Sequence, residues 1–279
     1  MKKLVLRCLY FSLALLSFAE NKISQDELIP VAKRIAESKP GEYNKPIVFR
    51  MPGMDNVRVA KINNTGMPKL EVYYPPNFAF QTPIAAVILV NSFNDAEFSA
   101  SIGGGNAMRD LLWFISWAQV IATTGMAAVT YETFDKPIQS LLAVLGYLRN
   151  QECYLGIDYS RLGIWAASSH VYPAQFILNE RTGGFGKILK CAAFYYSGNE
   201  SMPPEGFPIL FARPGRDNIP GNQEEFARFI AAAKKAGVDL TIADYPEGEH
   251  AFDLVNDTDR SRQIIAQTLK FFKEHLMEE

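Results

Sequence analysis

The stretch from Arg161 to Ala174, RLGIWAASSHVYPA, places two adjacent serines where a short apolar run stops and a helical pattern begins. A strand, a sharp turn and a helix read this way when the turn must present one hydroxyl. Leu162, Ile164 and Trp165 fit a strand buried on both faces, where the apolar run need not alternate. Ala166, Ala167, Ser168 and Ser169 supply small side chains where the backbone bends. Pro173 falls in the first turn of the following helix, where its missing N–H removes no intrahelical hydrogen bond. The pattern is that of a nucleophile elbow, and the chemistry such a turn serves is attack by an activated hydroxyl. A serine is a poor nucleophile at neutral pH unless a base is hydrogen-bonded to it. Histidine, with an ordinary pKa near 6.5, suits that role. The chain has three: His275 lies among Lys and Glu of a terminal helix, His170 adjoins the serines without being well placed to serve them, and His250 is left.

These residues need a frame. Ile84–Val90 is an unbroken apolar run, the mark of a strand covered on both faces. From there apolar strands alternate with helical segments: Ala107–Thr124 helix, Met126–Tyr131 strand, Pro137–Leu148 helix, Leu162–Trp165 strand, His170–Asn179 helix. Lys190–Tyr196 and Pro208–Ala212 are strands, then come helix Asn222–Ala236, strand Leu240–Tyr245 and the closing helix Asp259–Met277. Alternation of this kind implies parallel pairing through right-handed crossovers, hence a doubly wound α/β sheet with helices on both faces. Ahead of it, Ile23–Pro40 reads as a short amphipathic helix, and IVFRMPGMDNVRVAKINNT with LEVYYPP as two or three antiparallel edge strands. No interior linker divides residues 20–279, which read as one domain.

In an open parallel sheet, ligands gather at the carboxyl ends of the strands. The polar residues expected there are Asn91, Ser92 and Asn94 beside Phe93, then Glu132, Ser168 and Ser169, Arg216 and Asp217, and Glu247, Glu249 and His250. The order Ser168, Asp217, His250, each in a loop after a strand, resembles that of the α/β-hydrolase superfamily, and of its dienelactone-hydrolase-like branch in particular. RLGIWAAS resembles the strand and elbow R-[IV]-G-x-x-G-x-S. PILFARPGRDNIP resembles the segment that carries the acid, and YPEGEHAFD the segment that carries the histidine; weaker likeness extends over residues 45 to 275.

The resemblance implies a mostly parallel α/β-hydrolase sheet and acyl transfer by a covalent route. Ser168 would attack a carbonyl, His250 would take and return the proton, and Asp217 would hold the imidazole. The oxyanion would rest on the Ser169 amide and on an amide of the loop after Ile84–Val90, Phe93 by position. Asn91, Glu132 and His170 would stand near the pocket. Ser169 is the alternative nucleophile, and Asp244, Asp253 and Glu132 are alternative acids. Two features depart from the pattern. The places two before and two after Ser168, glycine in G-x-S-x-G, hold Ala166 and His170, and Asn91-Ser92-Phe93-Asn94 stands in place of an HG-type oxyanion signature.

No large lid domain is inserted. The long excursion Asn91–Met108 forms the rim of the pocket, and a lidless site favours small, accessible esters. The expected activity is carboxylic-ester hydrolysis; a peptidase or acyl-peptide hydrolase with the same triad, and a catalytically idle binding protein on this fold, are the alternatives. No metal or organic cofactor is implied. Gly103-Gly104-Gly105 lacks the lysine of a phosphate loop and reads as a flexible loop.

With 28 basic and 30 acidic residues and a net charge of −2, the chain carries no basic stripe for nucleic acid and no polybasic segment for a membrane surface. The first 19 residues combine Lys2 and Lys3, an apolar run and small residues before Glu20, the pattern of a signal peptide, so the mature chain is expected to be secreted or periplasmic. Cys8 falls in that leader, and Cys153 and Cys191 leave one disulfide open as a possibility.

Overall fold

The computed structural model describes residues 23–41, 44–63, 67–179 and 185–277, with Glu152, Cys153, Phe185 and Gly186 described as backbone only. The expected leader, 1–19, lies outside the described residues. The elements run β1 (Ile29–Pro30), α1 (Val31–Ala36), β2 (Arg58–Ile62), β3 (Leu70–Tyr74), β4 (Ile84–Leu89), α2 (Asp95–Ser101), α3 (Leu112–Thr123), β5 (Ala127–Tyr131), α4 (Pro137–Asn150) and α5 (Glu152–Leu155). Then follow β6 (Ile157–Ala167), α6 (Val171–Leu178), β7 (Leu189–Tyr195), β8 (Pro208–Pro214), α7 (Asn222–Lys235), β9 (Asp239–Tyr245), α8 (Phe252–Val255) and α9 (Asp259–Leu276).

The strands form one nine-stranded sheet in the order β1-β2-β3-β5-β4-β6-β7-β8-β9. β1, β2 and β3 pair antiparallel, and β3 joins β5 antiparallel. From β5 onward every pairing is parallel. The chain leaves β4 toward β5 on one side and returns to β6 on the other, so the winding reverses at β4. Such a switch point opens a crevice at the carboxyl ends of the strands, where ligands of open α/β sheets bind.

Helices cover both faces of the sheet. α3 and α9 share one face: Trp113 and Trp117 of α3 pack on Trp165 of β6, and Tyr195 of β7 bonds Thr268 of α9 through its hydroxyl at 2.6 Å. α4 and α6 pack against each other. α3 is buried from Trp113 to Ala122, which accounts for its nearly unbroken apolar sequence. A buried ion cluster ties α1 to the edge: Arg34 Nε meets Glu71 Oε2 at 2.7 Å and Arg34 Nη2 meets Asp110 Oδ1 at 2.6 Å.

Two expectations need correction. Ile23–Pro40 is not a single helix: Pro30 lacks the N–H a helix interior requires, and the segment divides into a 3-10 turn, the short strand β1 and the six-residue α1. The strand expected at Leu162–Trp165 starts five residues earlier, at Ile157, in a half-exposed stretch whose polar residues hide it from a search for apolar runs. Cys191 on β7 is a buried free thiol, and the side chain of Cys153, the pairing partner the sequence leaves open, lies outside the described ones. Among the described residues no helix is long and apolar enough to cross a membrane.

Candidate active site

β6 runs straight into the elbow. It ends at Ala167, a single 3-10 turn spans Ser168–His170, and α6 begins at Val171. Ser168 has φ +53°, left-handed backbone that a non-glycine residue adopts only under the constraint of its surroundings. That bend lifts its Oγ out of the strand line, as the small residues Ala166 and Ala167 allow.

The loops after β8 and β9 are joined by backbone hydrogen bonds: Gly215 N–H donates to Tyr245 O at 2.7 Å and Arg216 N–H to Gly248 O at 2.8 Å. The approach is close enough to demand glycine, since a Cβ on Gly215 would stand 2.3 Å from Pro246 O. This junction brings Asp217 beside His250. The Asp217 side chain is fully buried, and its Oδ1 accepts from Ile219 N–H and Asn222 Nδ2, each at 3.0 Å. Its Oδ2 accepts from His250 Nδ1 at 2.7 Å. With Nδ1 donating, Nε2 is the acceptor that faces the Ser168 hydroxyl, at 3.1 Å. Ser168, His250 and Asp217, separated by up to 82 positions in the chain, thus form one hydrogen-bonded relay.

Behind the relay stand three aromatic residues that the sequence does not assign to the site, Tyr196, Trp113 and Trp117, gathered on Asp253. The Tyr196 ring packs edge-on against His250 with centroids 4.6 Å apart, and its hydroxyl donates to Asp253 Oδ1 at 3.0 Å. Asp253 Oδ2 accepts from the indoles of Trp113 (2.9 Å) and Trp117 (2.8 Å). Burial pushes the Asp253 carboxyl above its usual range, and these three donors counter part of that shift. Asp253, an alternative acid by sequence, is therefore the anchor of an aromatic wall. Asp244 pairs instead with Arg213 at 2.8 Å.

His170 resolves the missing glycine of the elbow by turning inward. It is 1% exposed, ringed by Phe93, Phe114 and Trp113 at centroid distances of 5.1, 5.7 and 6.0 Å. Its Nδ1 accepts the Ser92 N–H at 2.8 Å. Burial pushes its pKa down to about 3, so the ring is neutral. The unfolded chain takes up this proton near pH 6.5 and the folded chain only near 3, so the stability contributed by the neutral ring is complete above about 6.5 and falls as pH drops toward 3. Each pH unit in that window removes at most about 1.4 kcal/mol. Denaturant unfolding between pH 7 and 4 should show the wild type losing about 3 kcal/mol more than His170→Asn, whose Oδ1 can accept the same N–H. Equal losses would contradict a neutral His170.

The loop after β4 is held rigidly. Asn91 is buried, its N–H donating to the Tyr131 hydroxyl at 3.2 Å and its Nδ2 to Asp95 Oδ1 at 3.0 Å. Asp95 also accepts the Met108 and Thr133 amides, each at 2.8 Å, while burial raises its pKa. The Phe93 N–H donates to Asn91 Oδ1 at 3.0 Å, and the Ser92 hydroxyl lies 3.1 Å from Ser169 Oγ. Asn94 caps α2 through its side chain; this helix within the rim excursion is short and escapes a periodicity search.

A groove of about 530 Å³ opens beside the elbow, with Ser92, Ser169, Phe93, Ile138, Tyr172 and Phe176 on its walls. No Lys, Arg, Asp or Glu lines it. Asn91 and His170 lie buried behind this groove, and Glu132 pairs with Lys69 at 3.2 Å, so none of the three expected pocket residues lines it. A larger cleft, about 810 Å³, lies between Gln25, Asp55 and Phe78 at the antiparallel edge, where Arg58 is taken up by Gln25 and by the Leu28 carbonyl; neither it nor the groove has Ser168, His250 or Asp217 on its walls, and of the two only the groove reaches the elbow, through Ser169. Among the described residues there is no group of three His, Cys, Asp or Glu side chains placed to hold a metal ion.

No protein-family model matches the sequence, and a search of curated proteins finds no match either. Solved structures do match. An esterase from Thermogutta terrifontis, Est2, is 14% identical, with a TM-score of 0.58 over 81% of this chain and 95% of that one. The same organism's esterase 2 phosphorylated by paraoxon is 15% identical, with a TM-score of 0.57 over 83% of this chain and all of that one. One of two fungal esterases from Rhizomucor miehei is 12% identical, with a TM-score of 0.61 over 88% of each chain. Strand order, the crossovers at β4 and these likenesses agree: the chain has the α/β-hydrolase fold.

Proposed function

We propose that this protein is a serine hydrolase that cleaves carboxylic esters through an acyl-enzyme intermediate. The observation that carries the reading is the relay Ser168 Oγ to His250 Nε2 at 3.1 Å and His250 Nδ1 to Asp217 Oδ2 at 2.7 Å. In it Ser168 attacks the ester carbonyl as His250 removes its proton; His250 then protonates the leaving alcohol. Asp217 fixes the tautomer and stabilises the imidazolium, and its other oxygen is occupied by two donors that keep it oriented. Water repeats the attack on the acyl-enzyme with the same base. The Ser169 amide, next after the nucleophile, and the 91–94 loop form the oxyanion site.

An intact relay supports an enzyme over a catalytically idle binding protein. The uncharged groove supports an apolar, uncharged substrate group. The three sequence segments around Ser168, Asp217 and His250 support the dienelactone-hydrolase-like branch, and the first 19 residues support a secreted or periplasmic location. The partner is a small-molecule ester, with no cofactor.

The test is a comparison of p-nitrophenyl acetate, butyrate and palmitate with a peptide p-nitroanilide. Acetate and butyrate should be turned over with kcat/KM at least tenfold above palmitate, and the anilide more slowly still. Preference for palmitate would contradict a lidless site for small esters, and preference for the anilide would favour a peptidase.

A further inference from the structure

The loop after β4 holds its amides away from a substrate. Asn91 N–H donates to the Tyr131 hydroxyl, Ser92 N–H to His170 Nδ1 at 2.8 Å, and Phe93 N–H to Asn91 Oδ1 at 3.0 Å. None of these acceptors is loose. Asn91 is fixed by Asp95, and His170 is enclosed by Phe93, Trp113 and Phe114. Turning such an amide toward a developing oxyanion would leave a buried acceptor without its donor, which acceptors in protein interiors rarely tolerate.

The Ser92 hydroxyl is different. Its Oγ lies 3.1 Å from Ser169 Oγ and 3.0 Å from His170 Nδ1, and Ser92 lines the groove beside the elbow. A neutral imidazole nitrogen offers one lone pair, and that of Nδ1 already receives the Ser92 N–H at the shorter distance, 2.8 Å. The Ser92 O–H can therefore rotate toward the groove without moving a heavy atom.

We propose that the Ser92 hydroxyl, acting with the Ser169 amide, is the second oxyanion donor of this site, and that His170 is the positioning residue that makes it so. His170 stands where the elbow pattern has glycine, and its Nδ1 removes the Ser92 amide from competition while holding the Ser92 side chain toward the elbow. The inference rests on Ser168 being the nucleophile.

The experiment measures kcat and KM on p-nitrophenyl butyrate together with fluorophosphonate labelling of the same preparations. Ser92→Ala should lower kcat by about 10²-fold, the scale of one lost oxyanion donor, with KM changed less than threefold. Ser92→Thr, which keeps a hydroxyl, should regain at least tenfold of that loss. In His170→Gly the Ser92 amide is released, so adding Ser92→Ala to that background should cost less than fivefold. If the wild type is not labelled at Ser168, the reading of the nucleophile fails. If it is labelled but Ser92→Ala keeps kcat within threefold, a loop amide is the donor and the proposal is overturned. An equal loss in both backgrounds would overturn the role of His170. Should Ser92→Ala fail to fold, Ser92→Cys, with its weak S–H donor, must show the same fall in kcat.

Discussion

Ser168→Ala is expected to lower kcat on short p-nitrophenyl esters by roughly 10⁴-fold to 10⁶-fold, the range seen when the nucleophile of a Ser-His-Asp site is removed. The substitution deletes one oxygen from an elbow already bounded by Ala166 and Ala167, so a circular-dichroism melt should stay within a few degrees of the wild type. Asp217→Asn should fall by about 10⁴-fold for a different reason. An amide presenting its Nδ2 to His250 would turn the proton onto the wrong ring nitrogen and leave no acceptor for the Ser168 hydroxyl. Steady-state rates on one substrate check both, and a loss under tenfold in either would contradict the relay. The geometry makes the loss in Asp217→Asn hard to avoid by repacking, because the Asp217 side chain is fully buried and already held by Ile219 and Asn222.

Asp253→Ala is the second large effect, and it falls on stability. Its carboxylate is the acceptor of the Trp113 and Trp117 indoles and of the Tyr196 hydroxyl. Removing it strands three buried donors, each costing about 1–3 kcal/mol when unpaired. A net loss of about 4 kcal/mol is expected, which for a chain of this size is a fall in Tm of roughly 10 °C. Because Tyr196 backs the His250 ring, kcat should also fall, though far less than in Asp217→Asn. Thermal melts and rates at 20 °C separate the two positions. An unchanged Tm would contradict the anchoring role, and a rate loss equal to that of Asp217→Asn would make Asp253 part of the relay.

The parts of this molecule that follow from local pattern were legible in its sequence. β4 is a continuous apolar run because both of its faces are covered, α7 and α9 carry periodic apolar stripes, and α3 is a nearly unbroken apolar run long enough to be a helix. The relay was legible as three residue types in loops after strands, and the structure brings those residues within hydrogen-bonding distance. What depends on tertiary approach was not. Nothing in the run FYYSG says that Tyr196 will lean on His250, nor does the sequence of α3 say that two indoles will share one carboxylate. His170 read as an obstruction in the elbow, since a glycine is expected there. Folded, it faces inward and becomes the acceptor that fixes the neighbouring loop, a role set by the 78 positions of chain between it and Ser92. Counting from a strand end puts Phe93 at the oxyanion site. Its ring instead walls the groove and stacks on Phe98 at 5.6 Å, and the direction of its amide depends on an Asn91 side chain that counting cannot orient.

The central claim is that Ser168 is the nucleophile, and one measurement addresses it directly. The wild type, Ser168→Ala and Ser169→Ala are treated with a fluorophosphonate at pH 7, digested with trypsin, and the peptide spanning residues 162–181 is sequenced by mass spectrometry. The relay predicts a single adduct on Ser168 in the wild type and in Ser169→Ala, and none in Ser168→Ala. An adduct on Ser169, labelling that persists in Ser168→Ala, or a wild type that takes no label would contradict it.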